Sequence, residues 1–211
     1  MQTCNFFELY SNVSFIKKKI KENDFNPSKE IYPNYFGGAW MKIFTEKMCE
    51  FYSRLGKNKY TIIRHSNVYG PYDKYDLKKS HVFGATVSKV INTKNGDIKI
   101  WGKGEEKRDL MYVGDLSNII FLAIKNQKKI FSLFNAGYGK LISINDLTKK
   151  IAKHVKKNIN LKHDISKKSL NTNVVLNCTK AKREIGWKIQ NTLDRGIIKT
   201  LKWYKKNIKE F

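Results

Sequence analysis

The chain carries 211 residues, three cysteines and a formal charge of +24, from 42 lysines and arginines against 18 aspartates and glutamates. That length is enough for one domain or a closely packed pair, no apolar run reaches the roughly 18 residues of a membrane span, and Cys4, Cys49 and Cys178 are too widely spaced for a disulfide framework or a CxxC site. The opening residues lack the basic-then-apolar order of a signal peptide, so a cytoplasmic location without membrane contact is expected.

The positive charge is mostly lysine, spread over the whole chain among many Asn, Ile, Tyr and Phe, a mixture that A/T-rich codons produce. Arginine, the better residue for bidentate contacts to bases and phosphates, is scarce. Nucleic acid is therefore not the expected partner, although the field favours an anionic ligand.

In chain order, residues 38–55 place Trp40, Phe44, Met48, Phe51 or Tyr52, and Leu55 at helical spacing, with Gly56 as the stop. Tyr60–Arg64 is a β-rich run that enters the loop SNVYGPYDKYD. A helix is predicted over 80–91 with Ser80 as its N-cap. Asp97–Trp101 alternates as a short strand, GKGEEK is a polar turn, and Leu110–Val113 is a second short strand. Asp115 reads as the N-cap of a helix to about Asn126. Phe131–Asn135 is strand-like, and Ser143 caps a helix from Ile144 to about Val155 with Asp146 in its first turn. A short helix over 179–185 ends at Gly186. The last helix, 192–208, puts Leu193, Ile197, Leu201, Tyr204 and Ile208 on one face. Helices alternating with short strands make the class α/β.

Three segments carry chemistry. Asn67-Val-Tyr-Gly-Pro71 follows an apolar strand directly, and ligands of open α/β sheets lie just beyond such carboxyl ends. Ser80-His81-Val82 opens a helix, where an imidazole can relay protons near physiological pH. Trp101-Gly-Lys-Gly104, Arg108-Asp109 and Tyr112-Val-Gly-Asp115 combine a strand, a glycine turn and one arginine able to clamp a diphosphate with two prongs. Gly102-x-Gly104 is no dinucleotide fingerprint, since no third glycine follows and no helix opens there.

Taken together, SNVYGPYDKYDLKKSHV, IWGKGEEKRDLMYVGDL, LNCTKAKREIGW and LDRGIIKTLKWY resemble the C-terminal two-thirds of the NAD-dependent epimerase/dehydratase family of extended short-chain dehydrogenases, most closely its GDP-L-fucose synthase-like members. The resemblance runs from about residue 34 onward. It implies the C-terminal part of a Rossmann-like doubly wound sheet plus a small α/β substrate-binding domain, with residues 1–75, including the catalytic-lysine helix, in the former and 76–211 mainly in the latter, with strands returning to the sheet. It implies NAD or NADP as cofactor and a nucleotide sugar, a GDP-sugar in particular, as substrate. Lys42 matches the lysine that holds the nicotinamide ribose, and His81 matches the histidine that protonates the sugar carbon. Asn67 and Arg108 match diphosphate contacts, and Val82 and Trp101 complete the substrate-binding set. Asp115 matches a mainly structural aspartate. No metal is implied. Family members dimerise through the helix that carries Lys42, here 38–55.

Two departures from the family pattern follow. No Gly-x-x-Gly-x-x-Gly cradle for the pyrophosphate is present, so the chain is expected to lack the N-terminal cofactor-binding part, whether lost or supplied by a separate chain, and to turn over little by itself. The catalytic tyrosine belongs four residues before Lys42, and Gly38 stands there. Tyr35 reaches the same helix face only if the helix starts earlier, which Gly37-Gly38 disfavours. Thr3-Cys4 resembles the family's Ser/Thr-Cys strand end, at a spacing several residues too long.

Overall fold

A computed structural model describes residues 2–5, 19–26, 31, 33–167 and 173–207. Its centre is a parallel sheet in the order β1-β2-β6, formed by β1 (Gln2–Asn5), β2 (Tyr60–His65) and β6 (Phe131–Ala136). The middle strand β2 is buried at Thr61, Ile62, Ile63 and Arg64, so it reads as a continuous run rather than an alternating one. Helices cover both faces. On one, α1 (Phe36–Leu55) packs Ala39 and Ile43 with Ile20, Ile31, Val174 and Leu176. On the other, α3 (Val113–Asn126) and α5 (Thr179–Ile185) bury Ile119, Ala123, Ala181 and Ile185 with Ile63, Met111, Phe134 and Trp187. This is the doubly wound, Rossmann-like arrangement expected.

A second core lies beyond the carboxyl ends of that sheet. There β3 (Asn67–Tyr69) pairs parallel with β5 (Lys107–Tyr112), and β5 pairs antiparallel with β7 (Leu141–Ser143). A two-stranded parallel ladder joins β4 (Asp97–Trp101) to β8 (Asn160–Asp164). Around them α2 (Val82–Asn92), α4 (Ile144–His154) and α6 (Leu193–Asn207) enclose Tyr69, Phe83, Val87, Leu147, Ile197 and Tyr204. Tyr69 and Phe83 stack with ring centroids 4.0 Å apart.

Most element boundaries fall where patterning puts them, and the exceptions have physical causes. The helix expected from Gly38 begins two residues earlier at Phe36, with Gly37 and Gly38 both helical and exposed. Burial of Ala39 and Ile43 outweighs the roughly 1 kcal/mol that each helical glycine costs. Asp115 is not an N-cap. The helix starts at Val113, and the buried Asp115 carboxylate accepts from Gln190 N and Asn191 Nδ2, tying α3 to the segment before α6. Ser80 is not a cap either: His81 is the N-cap of α2 and makes no side-chain capping bond. Ser143 does cap α4, accepting from Asp146 N at 3.0 Å. Ile208 and the side chains of Thr3 and Cys4 lie outside the described residues.

Candidate nucleotide-sugar site

The candidate residues stand on the elements that meet where β2 ends and the second core begins. Asn67 opens β3 opposite Leu110, and its Nδ2 donates to Asp109 O at 3.4 Å, joining the NVYGP loop to the strand that bears Arg108. The loop turns at Gly70, whose backbone has φ +153° and where a Cβ would overlap Val113. Burial lowers the half-buried Arg108 guanidinium's pKa, while Glu106 and the Tyr35 phenol, both close by, oppose the shift. Tyr35 is the N-cap of α1, so the early helix start carries it toward Arg108.

Lys42 lies two turns further along α1, half-buried. It faces the carboxyl end of β2, where burial first and the Lys42 ammonium second hold the His65 imidazole below its usual pKa. One turn beyond, Glu46 accepts two bonds from Arg64 of β2, Nε to Oε1 at 2.9 Å and Nη2 to Oε2 at 2.7 Å. Arg64 also donates to Glu22 O at 2.9 Å and lies against the Phe25 ring. This buried fork sets the height and rotation of α1 over the sheet, and hence of Lys42.

His81 and Val82 are exposed at the start of α2, and Asp73 of the preceding loop feels the charge of His81. Trp101 ends β4 with 59% of its surface exposed and Lys89 Nζ 5.9 Å from its ring centroid. Of the predicted residues, Tyr35 and Arg108 are within electrostatic reach of one another, and Asn67 bonds to the strand that bears Arg108. Lys42 acts on His65, while His81–Val82 and Trp101 stand at the start of α2 and the end of β4.

Asp109 has no role in the sequence patterning beyond its place next to Arg108. It is 1% exposed and accepts from Tyr138 N at 2.8 Å and Gly139 N at 2.9 Å. Burial pushes its carboxyl up to about 6, against those two bonds. The available signal was a carboxylate at the point where the charged start of β5, Lys107-Arg108-Asp109, passes into the apolar Leu110-Met111. Besides Ser66 Oγ, which neighbours the Asp109 carboxylate, three oxygens, Asp73 Oδ2, Ser80 Oγ and Glu106 Oε2, are buried without a hydrogen-bond partner among the described residues. Native interiors rarely leave such atoms unmatched, and these flank His81 and Arg108. Among the described residues, no cluster of His, Cys, Asp and Glu suits a metal ion.

The model of the NAD dependent epimerase/dehydratase family matches residues 19–137. The chain belongs to that family. It is 33% identical over 177 residues to the GDP-L-colitose synthase of Yersinia pseudotuberculosis, spanning 80% of this chain and 56% of that protein. It is 27% identical over 206 residues to the GDP-L-fucose synthase of Escherichia coli, spanning 92% and 62%. The chain therefore spans a little over half the length of these relatives. Among solved structures, the UDP-glucose 4-epimerase of Thermotoga maritima superposes with a TM-score of 0.82 at 24% identity, covering 98% of this chain and 63% of that one. At that identity the likeness is one of fold.

The family implies NAD or NADP. Lys42, half-buried beside the end of β2, fits a ribose contact, but the described residues hold no glycine-rich strand–turn–helix for the diphosphate. The Gly102–Gly104 turn is closed by Asn145, whose carboxamide a Cβ on Gly104 would overlap, and the loop of Gly137 and Gly139 runs into a strand, β7, rather than into a helix. The complete dinucleotide does not fit these residues. No described helix is long and apolar enough to cross a membrane.

Proposed function

We propose that this chain is the nucleotide-sugar-binding part of an NAD(P)-dependent GDP-sugar epimerase/reductase. The observation that carries the reading is the convergence of buried, unpartnered oxygens on the segments bearing His81 and Arg108: polar groups that lack protein partners are suited to sugar hydroxyls and bound water. In this reading Arg108 and Asn67 take the diphosphate, Trp101 and Val82 border the base, and His81 exchanges a proton with the sugar carbon next to a carbonyl. Lys42 orients the cofactor ribose, and Tyr35, the N-cap of the same helix, offers a phenol in place of the tyrosine missing at Gly38. Relatives named as GDP-L-colitose and GDP-L-fucose synthases support the choice of a GDP-sugar.

Residues 1–75 serve as part of the Rossmann-like unit and 76–211 mainly as the substrate part, from which β6 returns to the central sheet. Turnover by the 211 residues alone is expected to be negligible, because they hold neither the diphosphate cradle nor a hydroxyl at Gly38. Those same two features favour a second reading, a non-catalytic binder or one half of a split enzyme whose cofactor half is a separate chain. The outer face of α1 exposes Phe36, Trp40, Met41, Phe44, Phe51, Tyr52 and Leu55, a stripe that supports a homodimer through this helix.

Thermal unfolding with GDP-, UDP- and dTDP-sugars and with NAD(P)H tests the reading. A ligand at a hundred times its Kd stabilises by about 2.7 kcal/mol, so a shift with GDP-sugar and none with NAD(P)H is expected. NAD(P)H-dependent conversion of a GDP-4-keto sugar by the purified chain would refute the claim of negligible turnover.

A further inference from the structure

Between Trp101 and Arg108 the chain makes the glycine turn that joins the two substrate-binding candidates, and the nucleotide-sugar reading does not say what holds its shape. Gly102 and Gly104 both have positive φ, +64° and +67°, which glycine adopts freely, and being glycines they leave the turn few restraints of its own. It is held from two sides. On one, Trp101 pairs with Asp164 across the β4–β8 ladder, and Gly102 N donates to Asp164 O at 2.9 Å.

On the other side, the first turn of α4 closes over it. Ile144 N donates to Glu106 O at 3.2 Å and Asn145 N to Gly104 O at 3.0 Å. The amides that a helix start leaves without intrahelical partners are thus used up by the turn's carbonyls and by the Ser143 cap. The Asn145 side chain completes the clasp. Its Nδ2 donates to Lys103 O at 2.9 Å, which leaves Oδ1 as the acceptor for His163 Nε2, 2.9 Å away on β8. One carboxamide therefore joins α4, the turn and β8. A Cβ on Gly104 would collide with it.

We propose that Asn145 is a positioning residue for nucleotide binding, locking the turn so that Trp101 and Arg108 keep a fixed separation before the ligand arrives. The proposal rests on the nucleotide-sugar reading above. The physical argument is preorganisation: a base platform and a diphosphate clamp at opposite ends of a loose turn must be ordered on binding, and that ordering is subtracted from affinity. With Asn145 in place the ordering is already done.

Asparagine is required here for its two ends. Asn145→Asp keeps an acceptor for His163 but sets a carboxylate oxygen against the Lys103 carbonyl, and Asn145→Ala removes both bonds.

The test uses the whole chain and GDP as the probe. Isothermal titration well below the unfolding temperature is expected to give a Kd about tenfold weaker for Asn145→Ala, and at least as weak for Asn145→Asp, or about 1.4 kcal/mol each. Two apo readouts accompany it: amide exchange at Lys103 and Gly104, expected to accelerate in both variants, and His163 ring 15N shifts. These shifts should report an Nε2–H tautomer in the wild type that relaxes toward the free imidazole average in Asn145→Ala.

Unchanged GDP affinity in variants whose turn has loosened overturns the positioning role while leaving the nucleotide-sugar reading intact. Unchanged exchange and His163 shifts overturn the clasp itself. Failure of the wild type to bind GDP overturns the nucleotide reading, and the proposal with it, even where the apo signals confirm the clasp.

Discussion

Replacing Glu46 with alanine isolates the contact that seats α1 on the sheet. The Arg64 side chain is 5% exposed and that of Glu46 is 10% exposed, and the two share a fork of 2.9 and 2.7 Å. Removing the carboxylate leaves a guanidinium buried with the Glu22 carbonyl and the Phe25 ring still in place. Deleting one partner of a buried pair costs about 3–5 kcal/mol. The surviving Glu22 contact points to the lower end, about 3 kcal/mol. For a chain of this size that lowers the melting temperature by roughly 6–12 °C.

Urea unfolding at neutral pH measures it, with Arg64→Met, Glu46→Leu and the double variant closing a thermodynamic cycle. The double variant should be markedly more stable than Glu46→Ala, because it buries no unpaired charge. By contrast Glu50→Ala, which removes the exposed Lys47 and Arg54 pairs on the same helix, should cost under about 1 kcal/mol. A Glu46→Ala loss no larger than that of Glu50→Ala would refute the claim that the fork seats α1.

Asp109 carries a pH dependence of unusual sign. Its native carboxyl stands at about 6, above the 3.8 of a free aspartate side chain, so between those values the native state binds more protons than the unfolded one. Its contribution, on the order of 3 kcal/mol at most, is complete below about pH 4 and lost as pH rises through 6. The difference in urea midpoint between wild type and Asp109→Asn should therefore move across that window, and a flat difference counts against it. Trp187 is 1% exposed and donates Nε1–H to Asp115 O at 3.0 Å; Trp187→Ala should cost about 3–5 kcal/mol in the same assay, and a loss below 1 kcal/mol would contradict its place in the core. Phe44 and Met41 are 66% and 71% exposed on α1, so Phe44→Lys should convert a dimer to a monomer in sedimentation without loss of helix content. A wild type that sediments as a monomer rules out the α1 interface.

The legible parts of this protein are those where one local rule decides. Ser143 followed by Asp146 announces a cap because the two groups bond within one turn. The 3.6-residue stripe of Leu193, Ile197, Leu201 and Tyr204 announces α6 because one face must leave water. The order of NVYGP, SHV, WGKG and RDLMYVGD announces the family, which the match over 19–137 establishes. Asp115, a plausible cap by type and place, was misread because its carboxylate is claimed by Gln190 and Asn191, which lie 75 and 76 residues later.

By itself, then, the sequence determined the alternation of helices and strands, the segments able to carry chemistry, and the lack of a glycine cradle for a dinucleotide. Tertiary structure alone decided that the helix starts at Phe36 despite two glycines, that Tyr35 comes beside Arg108, that Arg64 and Glu46 fork beneath Lys42, and that Asn145 bridges to His163 over the glycine turn. The reason is range. Caps, turns and amphipathic stripes are settled within a few residues. A buried carboxylate, a forked ion pair or a clasped turn gains its energy from partners tens of residues away, and those are brought together only when strands β2, β5 and β8 have paired.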